Sequence, residues 1–288
     1  MEWYYLAAIS AIALGASTIM EKLMLKDEHA TVYSTIYTIM TAVICLFLIP
    51  FSDFSMSLQS FLAIAIAAVL TAFSYLMGAR LFRHNDISMV SPVSIGLPTV
   101  FVVLLAFVFL SEKLTLLQYA AVIGIFLSLI SLLLTRDSKL PSLRSSIKDP
   151  YILGSLLFSI ATACGAIIAK YVLSYVSAVT YFVAAQELRA IIMLAVIAAR
   201  KDGISSAYER AMRDFVPLAA IAAISFVSGI TFILAMASAE VSLVQPLRSV
   251  ISVIMTVVIG GEVFKEKGVS KRLAIGILMA VFAFILIS

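Results

Sequence analysis

Apolar runs of roughly 20 residues, each long enough to cross the hydrocarbon core of a bilayer as a helix, follow one another along almost the whole chain. About ten can be placed, near 3–25, 31–50, 57–82, 87–111, 115–135, 151–174, 177–200, 214–238, 241–262 and 270–287. The chain is 63% hydrophobic and 12% charged, whereas soluble domains carry about 25% charged residues. The loops between the runs are too short for a soluble domain. The expected fold class is an all-α integral membrane protein with about ten transmembrane helices.

The runs are not independent. DISMVSPV at 86–93 returns as EVSLVQPL at 240–247, and Glu112-Lys113 returns at the same spacing as Glu266-Lys267. One register shift aligns Asp86 with Glu240, Ser88 with Ser242, Pro92 with Pro246 and Glu112 with Glu266. A slightly smaller shift aligns Ile12 with Ile160, Lys22 with Lys170, Leu25 with Leu173 and Tyr33 with Tyr181, and the difference is one loop insertion near 201–213. The chain therefore divides into repeat 1 at 1–135, a linker at 136–150 and repeat 2 at 151–288. Doubling of this kind in an apolar chain points to a transporter that binds its cargo between two copies.

Lys and Arg collect in alternate loops. Lys22 and Lys26, Arg80 and Arg83, Arg136 to Lys148, Arg200 to Arg213 and Lys265 to Arg272 fall on one side, and the opposite loops hold only Lys113. The positive-inside rule makes the loaded side cytoplasmic and puts both termini outside, in a cell membrane. The basic loops also swap places between the halves, as expected if an odd number of spans, five, makes the repeats lie inverted in the bilayer.

The net charge of +4 is placed at helix ends, which argues for topology rather than for nucleic-acid binding. Met1 to Tyr5 has no basic n-region, and the first run ends in Glu21-Lys22 without a small-residue cleavage site, so no removable signal peptide is expected. Cys45 and Cys164 lie inside runs without metal-like spacing and read as buried thiols. His29 and His84 fall in predicted loops, and no buried Asp, H-x-x-x-H pair or G-x-S-x-G elbow is present, so an enzyme is not expected. The chain lacks a G-x-x-x-x-G-K-S/T loop, so transport would run on a gradient or by exchange. No cofactor or metal is expected. The expected partners are a small-molecule substrate and membrane lipid, bound by a monomer.

The stretch ISMVSPVSIGLPTVFVVLLAFVFLSEKLTLLQYAAVIG, with its Pro-containing run, terminal Glu112 and Leu114-Thr115-x-x-Gln118, resembles the drug/metabolite transporter superfamily, specifically ten-helix members with two EamA-type domains. The second copy, VSLVQPLRSVISVIMTVVIGGEVFKEKGVSKRLAIG, is a looser match. The family usually has Gly before the terminal Glu. Here Ser111 and Lys265 stand there, and Gly261-Glu262 offers a rival alignment to Glu266. The resemblance implies transport of a small organic solute and leaves its identity open.

Charges placed in hydrocarbon usually face a cavity or a partner. Glu187 and Arg189 lie near the middle of the seventh run, Arg248 two turns into the ninth, just after Gln245-Pro246, and Lys170 toward the end of the sixth. The positive surplus suits a carboxylate or zwitterion, with Arg248 and Arg189 on the carboxylate and Glu187 on an amino group or a coupling proton. Glu187 could equally be paired with one of the arginines, and snorkelling is the simpler role for Lys170. Pro92 and Pro98, with Gly96 between them, and Pro246 are hinge candidates at matching depth. Ser91, Ser94, Gln186 and Gln245 could bond substrate, and Tyr33 and Tyr181 could line the mouth; packing is the alternative for each. Trp3, Tyr4 and Tyr5 read as interface anchors, and Glu21 and Glu112 as wet or paired helix ends serving as caps or gate contacts. The expected function is alternating-access transport of an amino acid or related carboxylate, with a non-transporting receptor or assembly subunit, or a lipid-linked substrate flippase, as the other readings.

Overall fold

A computed structural model describes residues 2–25, 30–84, 92–134, 150–201, 203–263 and 269–287. Every regular element among them is helical: α1 (Trp3–Leu25), α2 (Ala30–Cys45, tightened into a 3₁₀ turn over Leu46–Phe51), α3 (Leu58–His84), α4 (Pro92–Gly96, Leu97–Leu105 and Ala106–Leu110), α5 (Leu116–Leu134), α6 (Pro150–Val172), α7 (Ala178–Ala198), α8 (Gly203–Arg213), α9 (Phe215–Ser238), α10 (Val241–Val263) and α11 (Val269–Ile287). Each of the ten expected spans corresponds to one helix, and α8 is additional. Seven helices among the described residues are long and apolar enough to cross a bilayer, and α4, α5 and α11 supply shorter apolar stretches.

Hydroxyls make up much of the polar content inside the bundle, and most satisfy themselves locally. Thr35, Thr38, Thr41 and Ser74 each donate to the carbonyl four residues earlier, which removes the cost of a bare hydroxyl in an apolar interior. Close helix approach uses small residues, as membrane bundles require. A Cβ on Gly124 of α5 would stand 2.5 Å from the Phe282 ring of α11.

α4 is wide at both ends, with π turns at Pro92–Gly96 and Ala106–Leu110 flanking a regular middle. Proline supplies no backbone N–H, so Pro98 leaves a carbonyl of the preceding turn without its usual donor, and a wider turn accommodates this. At the other end Ser111 takes a left-handed conformation, φ 55° and ψ 28°. That geometry favours glycine, the residue the resemblance calls for at this place. The sharp exit aims Glu112 at the start of α10, where its carboxylate accepts from Val241 N (3.0 Å), Ser242 N (3.0 Å) and the Ser242 hydroxyl. Glu112 is therefore a helix cap in trans, which satisfies orphan donors and complements the helix dipole.

Packing is reciprocal between the halves. α1 packs on α9 and α10, while α6 packs on α3 and α4; α2 meets α7, and α5 meets α11. The lysines follow the same pattern. Lys22 donates to the Phe82 carbonyl at the end of α3, and Lys170 to the Met236 and Ala239 carbonyls at the end of α9, both at 2.7 Å. Phe82 and Met236 each stand four residues before the aligned Asp86 and Glu240.

The segment between α7 and α9 forms α8, an amphipathic helix. Ala207 and Ala211 pack on the cluster around Ile19, Leu25 and Tyr33. Ile204, Tyr208 and Met212, spaced by four residues, form an exposed apolar stripe beside them.

Candidate functional site

A cavity of about 280 Å³ lies inside the bundle, near the lower end of the range for small-molecule sites. Its walls come from α1 to α4, α6, α7, α9 and α10. α1 contributes Leu14, Thr18 and Glu21, which share one face at helical spacing; α3 contributes Thr71, Ser74, Tyr75, Gly78, Ala79 and Phe82 from its C-terminal half. The cavity thus extends toward the C-terminal ends of α1 and α3. At the opposite end the bundle is tied by the Glu112 cap, by Lys170, and by Asp53 N donating to Thr180 Oγ1 at 2.9 Å. The Ser55 hydroxyl and then its backbone N–H hold the Asp53 carboxyl below the usual carboxylate range.

Arg248 enters from α10 and is held by three groups. Its Nε donates to Ser10 Oγ at 2.8 Å, its Nη2 donates to Ser228 Oγ at 3.1 Å, and its guanidinium carbon lies 4.1 Å above the Phe232 ring. Ser10 and Ser228 are themselves locked, each hydroxyl donating to the other's carbonyl at 2.7 and 2.9 Å. Arg189 enters from α7, with Nε donating to Thr71 Oγ1 at 3.1 Å and its guanidinium carbon 4.9 Å from the Tyr75 centroid. Hydroxyls and ring faces orient a guanidinium without neutralising it. Among the described residues neither arginine has a carboxylate within ion-pair distance. A guanidinium has five N–H donors, so most of those on both groups remain available to a ligand.

Gln186 lies one turn from Arg189 on the same face of α7, lines the cavity at 4% exposure, and its Oε1 has no hydrogen-bond partner. A buried amide oxygen of this kind calls for a donor. Gln245, Tyr181, Ser94 and Pro98 also line the cavity; Gln245 reaches Ser249 Oγ at 3.5 Å.

Other expected residues stand elsewhere. Glu187 is absent from the walls and pairs with neither arginine, and its buried Oε1 has no partner. The α7 wall residues Phe182, Ala185, Gln186 and Arg189 follow helical spacing, and position 187 is turned about 100° from 186. Lys170 neither snorkels nor lines the cavity; it bonds the α9 carbonyls. Tyr33 is buried with an unpartnered hydroxyl behind Tyr37, whose ring stacks on it at 6.1 Å, and Tyr37 is the wall residue. Pro92 begins α4, and Pro246 lies inside α10, outside the walls. Ser91, Lys265 and Glu266 lie outside the described residues.

Sequence reasoning missed Tyr37, Thr71, Tyr75, Ser10 and Ser228, and read Glu21 only as a cap or gate contact at a helix end. The signal was present as polar stripes in apolar helices: Ser10, Ser17, Thr18 and Glu21 in α1, and Thr71, Ser74, Tyr75 and Gly78 in α3. The α3 set recurs at three or four residues and the α1 set at three, four or seven, so each marks one face.

No curated protein matches the sequence. One solved structure, 10% identical in sequence, matches in fold over 98% of this chain and 95% of its own with a TM-score of 0.71. Residues 1–135 match the family model of the EamA-like transporter family, and this match places that part of the chain in the drug/metabolite transporter superfamily.

Proposed function

We propose that the chain is a secondary transporter that moves a small organic metabolite, an amino acid or related carboxylate, across the cell membrane by alternating access. The observation that carries this reading is the pair of oriented arginines in the cavity, neither of which has a carboxylate within ion-pair distance among the described residues. Uncompensated charge inside a membrane is costly and marks a substrate path, and a bound carboxylate supplies the missing charge in the bidentate geometry that arginine favours. Gln186 Oε1 then receives a donor on the substrate.

Two inverted repeats of five helices support the transport cycle in this reading. The reciprocal packing and the matched Lys22 and Lys170 contacts favour a two-fold relation between halves 1–135 and 151–288. Cargo bound between such halves becomes exposed to either side as one rocks against the other. The Lys and Arg distribution puts the C-terminal ends of α1 and α3 in the cytoplasm and both termini outside. The cavity then points inward in this state.

Counterflow of a labelled metabolite panel in proteoliposomes tests the reading. Exchange of one or more carboxylates is expected, and Arg248→Gln or Arg189→Gln should weaken it at least about thirtyfold, the lower bound for unpairing a buried charge. Failure of folded protein to exchange any solute would favour a receptor role instead. A C-terminal reporter active only in the cytoplasm should stay dark.

A further inference from the structure

Among the described residues that line the cavity, Glu21 is the only carboxylate. Among the described residues it has no hydrogen-bond or ion-pair partner. Neighbouring Lys22 is directed to the Phe82 carbonyl, as adjacent helix positions face different ways. The cavity therefore carries two guanidinium groups toward one end and a carboxyl group at the other.

The helix rise sets the scale of that separation. Ser10, which holds Arg248, precedes Glu21 by 21 − 10 = 11 residues, about 16 Å along α1. The Lys22 contact puts Glu21 level with Phe82 on α3, and Tyr75, on which Arg189 rests, is 82 − 75 = 7 residues earlier, about 10 Å. A helical side chain leans toward its own N-terminus, so Glu21 leans toward the arginines and the gap to Arg189 closes to roughly 7–10 Å. At that distance Glu21 cannot pair with either guanidinium. Nor can it reach the ammonium of a compact α-amino acid, which sits only about 3 Å from its carboxylate.

We infer that Glu21 forms a second subsite for a cationic group, and that the cargo is an elongated carboxylate with a positive charge roughly 7–10 Å from it, such as a basic amino acid, an ω-amino acid or a short zwitterionic peptide. Arg189 and Arg248 take the carboxylate, and Glu21 takes the distal cation. This inference rests on the reading of the cavity as a carboxylate site.

Free arginine and citrulline make a matched pair of probes, equal in length and shape and differing in the distal charge. In counterflow, the wild-type protein should prefer arginine about tenfold or more, the scale of one partly desolvated charge pair. Glu21→Gln should abolish that preference while citrulline exchange persists, which also reports that the variant is folded. Glu21→Asp, which keeps the charge on a shorter stem, should retain part of the preference. Exchange of both probes with no charge preference, or a preference unchanged in Glu21→Gln, overturns the subsite and leaves the carboxylate reading standing. Exchange of neither probe overturns the subsite too, and if no other carboxylate in the panel exchanges, the carboxylate reading falls with it.

Discussion

Replacing Glu112 tests whether a side chain from one half of the bundle caps a helix of the other. The carboxylate, 9% exposed, accepts from two backbone donors and one hydroxyl at the start of α10. Glu112→Gln keeps one acceptor oxygen and turns an NH₂ toward the remaining backbone donor, while the Ser242 hydroxyl can rotate to accept from it. The net loss is one unpaired N–H, about 1–3 kcal/mol, and the charge–dipole contribution, about 0.5–1 kcal/mol, or roughly 2–3 kcal/mol together. Glu112→Ala leaves every donor without its partner and should cost about 4–5 kcal/mol. Ser242→Ala removes only the hydroxyl, at about 1 kcal/mol. With roughly 2–4 °C per kcal/mol for a chain of this size, Glu112→Gln should lower Tm in detergent by about 5–10 °C, and Glu112→Ala by more. Combined with Ser242→Ala, Glu112→Gln should lose less than the sum of the singles, since both touch one contact. Unchanged melting in both Glu112 variants, or strict additivity with Ser242→Ala, would refute the cap.

Three further outcomes follow from other parts of the fold. A Cβ on Gly229 would stand 2.7 Å from Cε2 of Phe182, and both residues line the cavity, so Gly229→Ala should turn the ring inward and exclude the bulkiest transported solutes first; an unaltered substrate panel would contradict this. Burial, with the Glu112 charge adding to it and Lys170 opposing, pushes the Glu240 carboxyl above its ordinary range. The folded protein thus holds that proton more tightly than the unfolded chain, the stability contribution is full below the unfolded carboxyl's value, and it is lost as pH rises through the folded one; Glu240→Gln should flatten this decline in Tm, and parallel pH curves for the two proteins would refute it. The α8 stripe of Ile204, Tyr208 and Met212 should dip into the lipid interface, so with Trp3 replaced by Phe, a Trp at 208 should be quenched by brominated acyl chains far more than a Trp at 209; equal quenching would place α8 away from lipid.

The ten spans were legible because lipid demands long apolar helices, and composition alone reveals those. Lys170 and Glu187 show where that reasoning stops. A charge in an apolar run must face something polar, yet the run does not say whether that is a cavity, a helix-end carbonyl or nothing at all. Arg189 and Gln186 were distinguishable from Glu187 by helical phase, but only once the face toward the cavity was fixed by α3 and α9. Ser10 stood in a polar stripe, but its role lies in a contact across 238 positions of sequence to Arg248, which the stripe does not reveal. The stretch at 201–213 looked like an inserted loop with several basic residues. Its stripe at four-residue spacing was present but too short to stand out from background.

Binding of one transported carboxylate and its uncharged amide, measured calorimetrically on the purified protein, tests the central claim most directly. The wild type should bind the carboxylate at least about thirtyfold more tightly, and the advantage should vanish when Arg189→Gln and Arg248→Gln are combined. Equal affinity for acid and amide, or a preference for the acid that survives loss of both guanidinium groups, would contradict it.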